Sequence, residues 1–413
     1  LTIILQSDIE SSLEVVFDDP DMPITITSDG GNNAIQYAGQ KPLGSDSGFI
    51  KVVNGAQVQF NNVDLKGSTG TYNGRVIYVA EGAEVNLSDV TVSDGRESTD
   101  IEGGAGAKVA DNGTLNVGSG VVFEDNTTTA GGGAIFVADG GMVNVSDDAV
   151  IRNNEAQMGG GIYADQQTHD YGGLTISDSV QITGNSATEN GSGMYVCASA
   201  NAEVSGNVEI SGNKKAGAAN NVYLADEATL NIAGATTGAN IGITADPEEA
   251  YRLVSAPVGY EIQPTRDGDE KGWTDDCGTW DIRYMSYHGV PGLYLYYKTL
   301  DVTFEDVNTL TSISGRDING ETVDYLQDAD NLPSVTVSGG VLTAADTVAK
   351  NTPEDDDLTF AFAVDPKEYR IPTEDIVKVT SGGAPVAFTY VPDFEAGTAT
   401  ITIDDAVVDT LND

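Results

Sequence analysis

Ala134-Ile135-Phe136-Val137 holds two aliphatic residues at a spacing of two with an aromatic residue between them, and the pattern recurs along the chain. The first aliphatic position falls at Ile50, Ile77, Ala107, Ile135, Ile162, Met194 and Val222, at intervals of 27, 30, 28, 27, 32 and 28 residues. Two residues further on stand Val52, Val79, Val109, Val137, Ala164, Val196 and Leu224. Alternation of this kind is the signature of a short strand with one buried face. A repeat of 20–50 residues in such strands points to a solenoid, because each unit needs its neighbours to bury its apolar face.

Two further strands follow in each unit. The second carries Val58/Phe60, Val85/Leu87, Leu115/Val117, Val143/Val145, Leu174/Ile176, Ala202/Val204 and Leu230/Ile232. The third carries Val63/Leu65, Val90/Val92, Val121/Phe123, Ala149/Ile151, Val180/Ile182 and Val208/Ile210. Three strands per unit predict an all-β chain whose residues 1–245 form a right-handed, three-sided parallel β-helix, a pectate-lyase-like solenoid. Seven coils are visible. Thr2–Leu5, Leu13–Phe17 and Ile24–Ile26 are expected to add one or two irregular capping coils, and Thr236–Thr244 to close the far end.

Three residues after the last inward position come Asn126, Asn154, Asn185 and Asn213. Stacked asparagines pass side-chain amide hydrogen bonds from coil to coil, and asparagine tolerates the left-handed backbone of a sharp corner. In this part of the chain Phe123-Glu124-Asp125-Asn126 precedes Gly132-Gly133-Ala134-Ile135. The combination resembles the polymorphic outer-membrane protein repeats of chlamydiae, which pair Phe-x-x-Asn with Gly-Gly-Ala-Ile. Ile151-Arg152-Asn153-Asn154 with Gly159–Ile162, and Ile182-Thr183-Gly184-Asn185 with Gly191–Met194, continue it with Ile in place of Phe. Similar repeats occur in adhesin-like surface proteins of gut bacteria and methanogens. The resemblance spans roughly residues 50–225. It implies a surface location and an adhesive role, and it implies no catalytic residue.

Residues 246–298 differ in character. Trp273, Trp280 and seven tyrosines gather there, which reads as an aromatic-rich cap and connector for the open solenoid end. Residues 299–413 show short alternating stretches at Leu300–Phe304, Ser334–Val337, Leu358–Val364, Ile376–Val379, Val386–Tyr390 and Thr398–Ile403. Turn signals separate them, so an immunoglobulin-like β-sandwich is expected.

With 64 acidic and 19 basic residues the 413-residue chain carries a net charge of −45. Such a polyanion repels phosphate backbones, which argues against nucleic-acid binding. No apolar run reaches the length that crosses a bilayer as a helix, so membrane insertion is not expected. A chain that starts at Leu1 without methionine reads as a piece of something longer, expected to be monomeric as a fragment. Cys197 and Cys277 form no Cys-x-x-Cys motif, and whether they pair is open.

Enzymes also use β-helices, so the fold decides nothing about chemistry. Asp147-Asp148 is read as turn chemistry, and the signatures of a polygalacturonase are missing. A pectate lyase needs an exposed arginine base beside a calcium cluster, and Arg75, Arg96 and Arg152 show no acidic constellation. His169, in the long loop Gln166–Gly173, and His288 read as loop residues. Two columns remain. The outward position of the first strand reads Lys51, Tyr78, Lys108, Phe136, Tyr163, Tyr195, Tyr223. Its last four members predict an aromatic strip about 15 Å long, suited to sugar rings or to plain cross-strand stacking. Behind that strand lie Glu81, Asp111, Asp139 and Asp226, with Asp165 one residue out of step. Stacked carboxylates either fan into water or share a cation such as Ca2+. The leading expectation is a non-enzymatic extracellular adhesin or scaffold that binds a glycan or a host surface protein. A polysaccharide-active enzyme and a structural stalk are the alternatives.

Overall fold

A computed structural model describes the chain except for residues 40–42, 45, 69–73, 99–101, 170, 226–227, 235–237, 245–251, 256–272, 276–279, 288–289, 298, 306, 317–321, 329–331, 333–334, 350–356, 368, 370, 373, 375–376, 382, 409 and 412–413. The protein is almost entirely β, and its first part is a parallel β-solenoid of about eight turns. The aliphatic columns stack in register. Ile135–Val137 lies between Ala107–Val109 and Ile162–Ala164, with Ile135 paired to Ala107 and Ile162. Val143 pairs with Leu115 and Leu174, and Ile151 with Phe123 and Ile182. These inward residues are fully buried, so one continuous core runs along the axis.

The N-terminal stretch is more regular than expected. Thr2–Leu5, Ile9–Ser11 and Val15–Phe17 pair in parallel with Ile24–Ser28, Asn33–Tyr37 and Ile50–Val52. They occupy the second, third and first columns of ordinary coils. A fourth column also exists, which the three-strand reading lacked. Arg96–Glu97, Thr127–Thr128, Glu155–Ala156, Ser186–Ala187 and Lys214–Lys215 pair in parallel just beyond the asparagine corner. Two-residue strands leave too short an alternation to be seen in sequence.

The corner itself places its left-handed residue one position earlier than expected. Asp94, Asp125, Asn153, Gly184 and Gly212 have φ between 56° and 68°, whereas Asn126, Asn154, Asn185 and Asn213 do not take positive φ. The corner asparagines instead work through their amides. Asn126 Nδ2 donates to Asn154 Oδ1 at 2.9 Å, Asn154 to Asn185 at 2.9 Å, and Asn185 to Asn213 at 2.9 Å. Each acceptor oxygen also takes the backbone N–H of the preceding asparagine. Gly95 N–H starts the row on Asn126, and Asn221 Oδ1 ends it by accepting from Asn213.

The Gly-Gly-Ala-Ile element has its own cause. Gly132, Gly159 and Gly191 take φ of 69°, 62° and 66°, and a Cβ there would strike the carbonyls of Ile135, Ile162 and Met194. Only glycine allows the chain to turn so tightly into the first strand.

In the aromatic-rich stretch, Arg252–Ser255 and Trp273–Asp275 still pair in parallel with the solenoid strands Leu230–Ile232 and Asn240–Thr244. Val290–Tyr297 then pairs antiparallel with Arg252–Ser255. A second compact unit comprises mainly Leu295–Asp413. It holds small antiparallel sheets. One joins Thr299–Phe304, Val341–Ala349 and Val335–Ser338. The other runs Thr322–Asp324, Leu310–Arg316, Leu358–Val364, Thr398–Ile403, Thr389–Asp393. Leu300, Ile313, Tyr325, Leu342, Leu358 and Phe360 lie in its core. Ile376–Val379 forms no strand among the described residues, and the strand expected at Val386–Tyr390 lies at Thr389–Asp393.

Candidate functional site

The outward column of the first strand is divided. Tyr78, Lys108 and Phe136 are buried, although they point away from the main core. Tyr78 packs with Val53, Ala80 and Ala110, and Lys51 Nζ sits 5.6 Å from its ring centroid. Lys108 Nζ forms an ion pair with Glu102 at 2.6 Å. Arg75 is fully buried, and its guanidinium donates to the carbonyls of Ser47, Gly103 and Gly104 at 3.1, 2.5 and 3.2 Å. No pattern in the residues around Arg75 signals this role. The neighbouring glycine loops cover the column, for a Cβ on Gly104 would press on Phe136 and one on Gly131 on Tyr163.

From Phe136 onward the rings form a ladder. Phe136, Tyr163, Tyr195 and Tyr223 have successive centroid separations of 5.0, 5.1 and 5.2 Å. The interplanar angles are 6°, 4° and 26°. Neighbouring rings therefore occupy each other's faces, and a ligand approaching the ladder from outside meets edges. The tyrosines are half-buried, and burial pushes the Tyr195 hydroxyl up to about 12. Tyr163 is raised further, by burial first, and its phenol oxygen lies 3.0 Å from the Cys197 sulfur. Burial also raises Cys197 itself, to about 11, so it stays a thiol at neutral pH. Cys277 lies outside the described residues, as do Asp226 and His288.

Beside the ladder residues 166–169 and 171–173 of the long loop fold back on the acidic corner. Asp139 Oδ1 accepts the Thr168 N–H at 2.8 Å and faces His169 Nδ1 at 3.0 Å, while Oδ2 accepts the Thr168 hydroxyl. These hydrogen bonds, Thr168 first, hold the Asp139 carboxyl well below the usual carboxylate range. Tyr171 Oη donates to Asp111 at 3.2 Å, and Gln167 links the Gly140 N–H to the Ala138 carbonyl. The loop thus brings its own donors to two of the acidic residues. Glu81 stands at a left-handed corner with φ of 57° and is exposed. Among the described residues no three carboxylate, imidazole or thiol groups converge as a cation's ligand shell requires. Tyr171 remains 46% exposed, against a mostly covered aromatic ladder.

The other groups weighed for chemistry have structural partners. Asp148 accepts from Ser119 Oγ and Gly120 N–H, which lowers its pKa. Arg152 makes two bonds to Glu124 Oε2, at 2.9 and 2.7 Å. Arg96 lies in the fourth strand column.

Residues 120–138 match the Chlamydia polymorphic membrane protein (Chlamydia_PMP) repeat. That segment runs from the third strand through the Asn126 corner and the Gly132 turn into the first strand of the next coil. No curated protein and no solved structure matches the chain. Among the described residues no helix is long and apolar enough to cross a membrane, which says nothing of a β-barrel. The repeat and the fold together suggest a surface or autotransporter-like protein: the chain is a parallel β-solenoid built on a repeat similar to that of the chlamydial polymorphic membrane proteins.

Proposed function

We propose that the chain is a non-enzymatic cell-surface adhesin or scaffold, which meets a glycan or a host protein at the loop Gln166–Gly173 and the adjoining aromatic ladder. The observation that carries this reading is the loop itself. It is tied down at Thr168, His169 and Tyr171, yet Tyr171 keeps much of its ring in solvent. An ordered loop that presents an aromatic ring with little entropy left to lose is a favourable contact group. The neighbouring ladder contributes ring edges. In this reading the coils wind right-handedly, as parallel β-crossovers almost always do. The small antiparallel sheets of the C-terminal unit support an immunoglobulin-like spacer. Ca2+ is not needed at the corner, because the loop supplies donors to Asp139 and Asp111.

Binding of the chain to glycan and protein arrays tests the reading. Tyr171→Ala and His169→Ala should lower binding tenfold or more, on the order of 1.4 kcal/mol, without changing the fold. Tyr163→Ala should act mainly on stability. Binding that survives both loop substitutions would overturn the assignment of the loop. Release of reducing or unsaturated sugars from a polysaccharide panel would favour the enzyme instead.

A further inference from the structure

The outward position of the second strand carries a row of neutral polar side chains. Asn86, Asn116, Asn144 and Thr175 pair in register along it, so neighbours stand about 4.8 Å apart. Asn144 Nδ2 donates to Asn116 Oδ1, and Asn116 Nδ2 to Asn86 Oδ1, both at 2.8 Å. These bonds run along the row and fix the planes of the amides. An amide offers two N–H groups and two carbonyl lone pairs, so the row is not exhausted by them. Asn144 Oδ1 accepts no bond among the described residues, and the Thr175 hydroxyl makes none there. Beside the row Thr114 pairs with Met142, whose side chain is 38% exposed. Thr114 lies three residues after Asp111, the acceptor of the Tyr171 hydroxyl, so the exposed Tyr171 ring stands at the border of the same face. The chain has 64 acidic residues, yet Thr114, Asn116, Met142, Asn144 and Thr175 form an uncharged patch between Glu84 and Glu203.

We propose that this face binds a neutral β-1,4-linked polysaccharide that lies along the solenoid axis, one pyranose to a coil. A glycan of that linkage is an extended ribbon, and its unit is close in length to the spacing of the coils. Equivalent hydroxyls therefore meet equivalent positions from one coil to the next. The free N–H and lone pairs of Asn144 and the Thr175 hydroxyl bond to sugar hydroxyls, and an apolar C–H face rests on Met142 and Tyr171. The patch offers no cation to a uronate, and the net charge of −45 repels one. The inference rests on the reading of the loop as a contact group, and it narrows the ligand of that group to one class.

The probes are cellohexaose and mannohexaose, with α-1,4-linked maltohexaose and hexagalacturonate as controls, each titrated into the full chain in a calorimeter. A β-linked hexamer should bind, and both controls should bind at least about tenfold more weakly. The disaccharide of the same linkage should also lose about tenfold or more, because it leaves part of the row empty. Asn144→Ala and Thr175→Val remove half-buried polar groups whose neighbours water can reach, so the circular dichroism spectrum should hold. Each should lower the affinity for the β-linked hexamer at least about fivefold. Tyr171→Ala separates the two readings. If it abolishes binding while Asn144→Ala and Thr175→Val bind as the parent does, the row is overturned and the loop reading stands. Absence of binding by both β-linked hexamers overturns the row as well, and the loop reading is then decided by the protein array. So does binding of oligolysine in place of the neutral hexamers, because the acidic borders of the face then take a basic protein segment.

Discussion

Two rows of asparagine amides run along the solenoid, and they differ in burial rather than in geometry. At the corner Asn126, Asn154, Asn185 and Asn213 link at 2.9 Å and are at most 1% exposed. On the second strand Asn86, Asn116 and Asn144 link at 2.8 Å and are only partly buried. Bond length cannot rank the two rows, but access of water can. An amide removed from the outer row leaves partners that water can satisfy. One removed from the corner leaves buried groups with nothing in exchange. Asn154→Ala would strip the acceptor from the Asn126 backbone and side chain, and the donor from the carbonyls of Phe123 and Arg152. Chemical denaturation should show a loss of about 3–5 kcal/mol, against about 0.5–1 kcal/mol for Asn116→Ala. Equal losses would break the comparison.

The aromatic ladder is a third row, intermediate in burial, and its prediction concerns alkali. Tyr195 is raised to about 12 by burial, and Tyr163 is raised more strongly. The unfolded chain gives up its phenol protons near pH 10, before the folded one does. Between those values the folded state holds more protons, so stability falls as the pH rises. The contribution is fully present below pH 10 and is lost by about pH 12. Since Tyr195 is only half-buried, its share is on the order of 1 kcal/mol after screening by solvent. Melting temperature against pH should bend downward above pH 10, and Tyr195→Phe should make the bend shallower. A bend unchanged in Tyr195→Phe would assign it to other groups, Tyr78 among them, which burial also raises to about 12.

The corner row and the ladder were both legible in the sequence, because each repeats one residue type at one coil position. What the sequence hid follows from shorter or less regular signals. The fourth strand column has only two residues per coil, such as Thr127–Thr128, too few to show a period. Asn221 ends the corner row from a different place in its coil, eight residues after Asn213, so no spacing rule finds it. Arg75 and Lys108 are charged residues buried beside the first strand, held by the Ser47, Gly103 and Gly104 carbonyls and by Glu102. Their partners come from loops whose folding no local pattern encodes. In the C-terminal unit Leu310–Arg316 and Val341–Ala349 were missed because Ser, Thr and Ala dilute their alternation. The outward reading of Phe136 also came from alternation, which says which side of a sheet a residue is on. It does not say whether a loop covers that side.

The smallest expected effect separates the two parts of the acidic corner. Asp139 is engaged by a loop, and Glu81 is exposed at its corner. Thr168 and His169 depress the Asp139 pKa, so their attachment is complete above the ordinary carboxylate range. It is lost only as the pH falls through that range toward the lower folded value. The loop should therefore stay closed at pH 5 and open in stronger acid. Because Asp139 is on the surface, this opening is local and should leave the global melting temperature nearly unchanged. Hydrogen exchange resolves such openings where a melting curve does not. Amides of residues 166–169 should exchange faster in Thr168→Ala than in the parent chain at neutral pH. Amides near Glu81 should exchange at the same rate in both. Added Ca2+ should leave the loop's exchange as it was, since the Thr168 and His169 donors already occupy the Asp139 oxygens. Slower exchange on adding Ca2+, abolished by Asp139→Asn, would instead assign the corner to a cation.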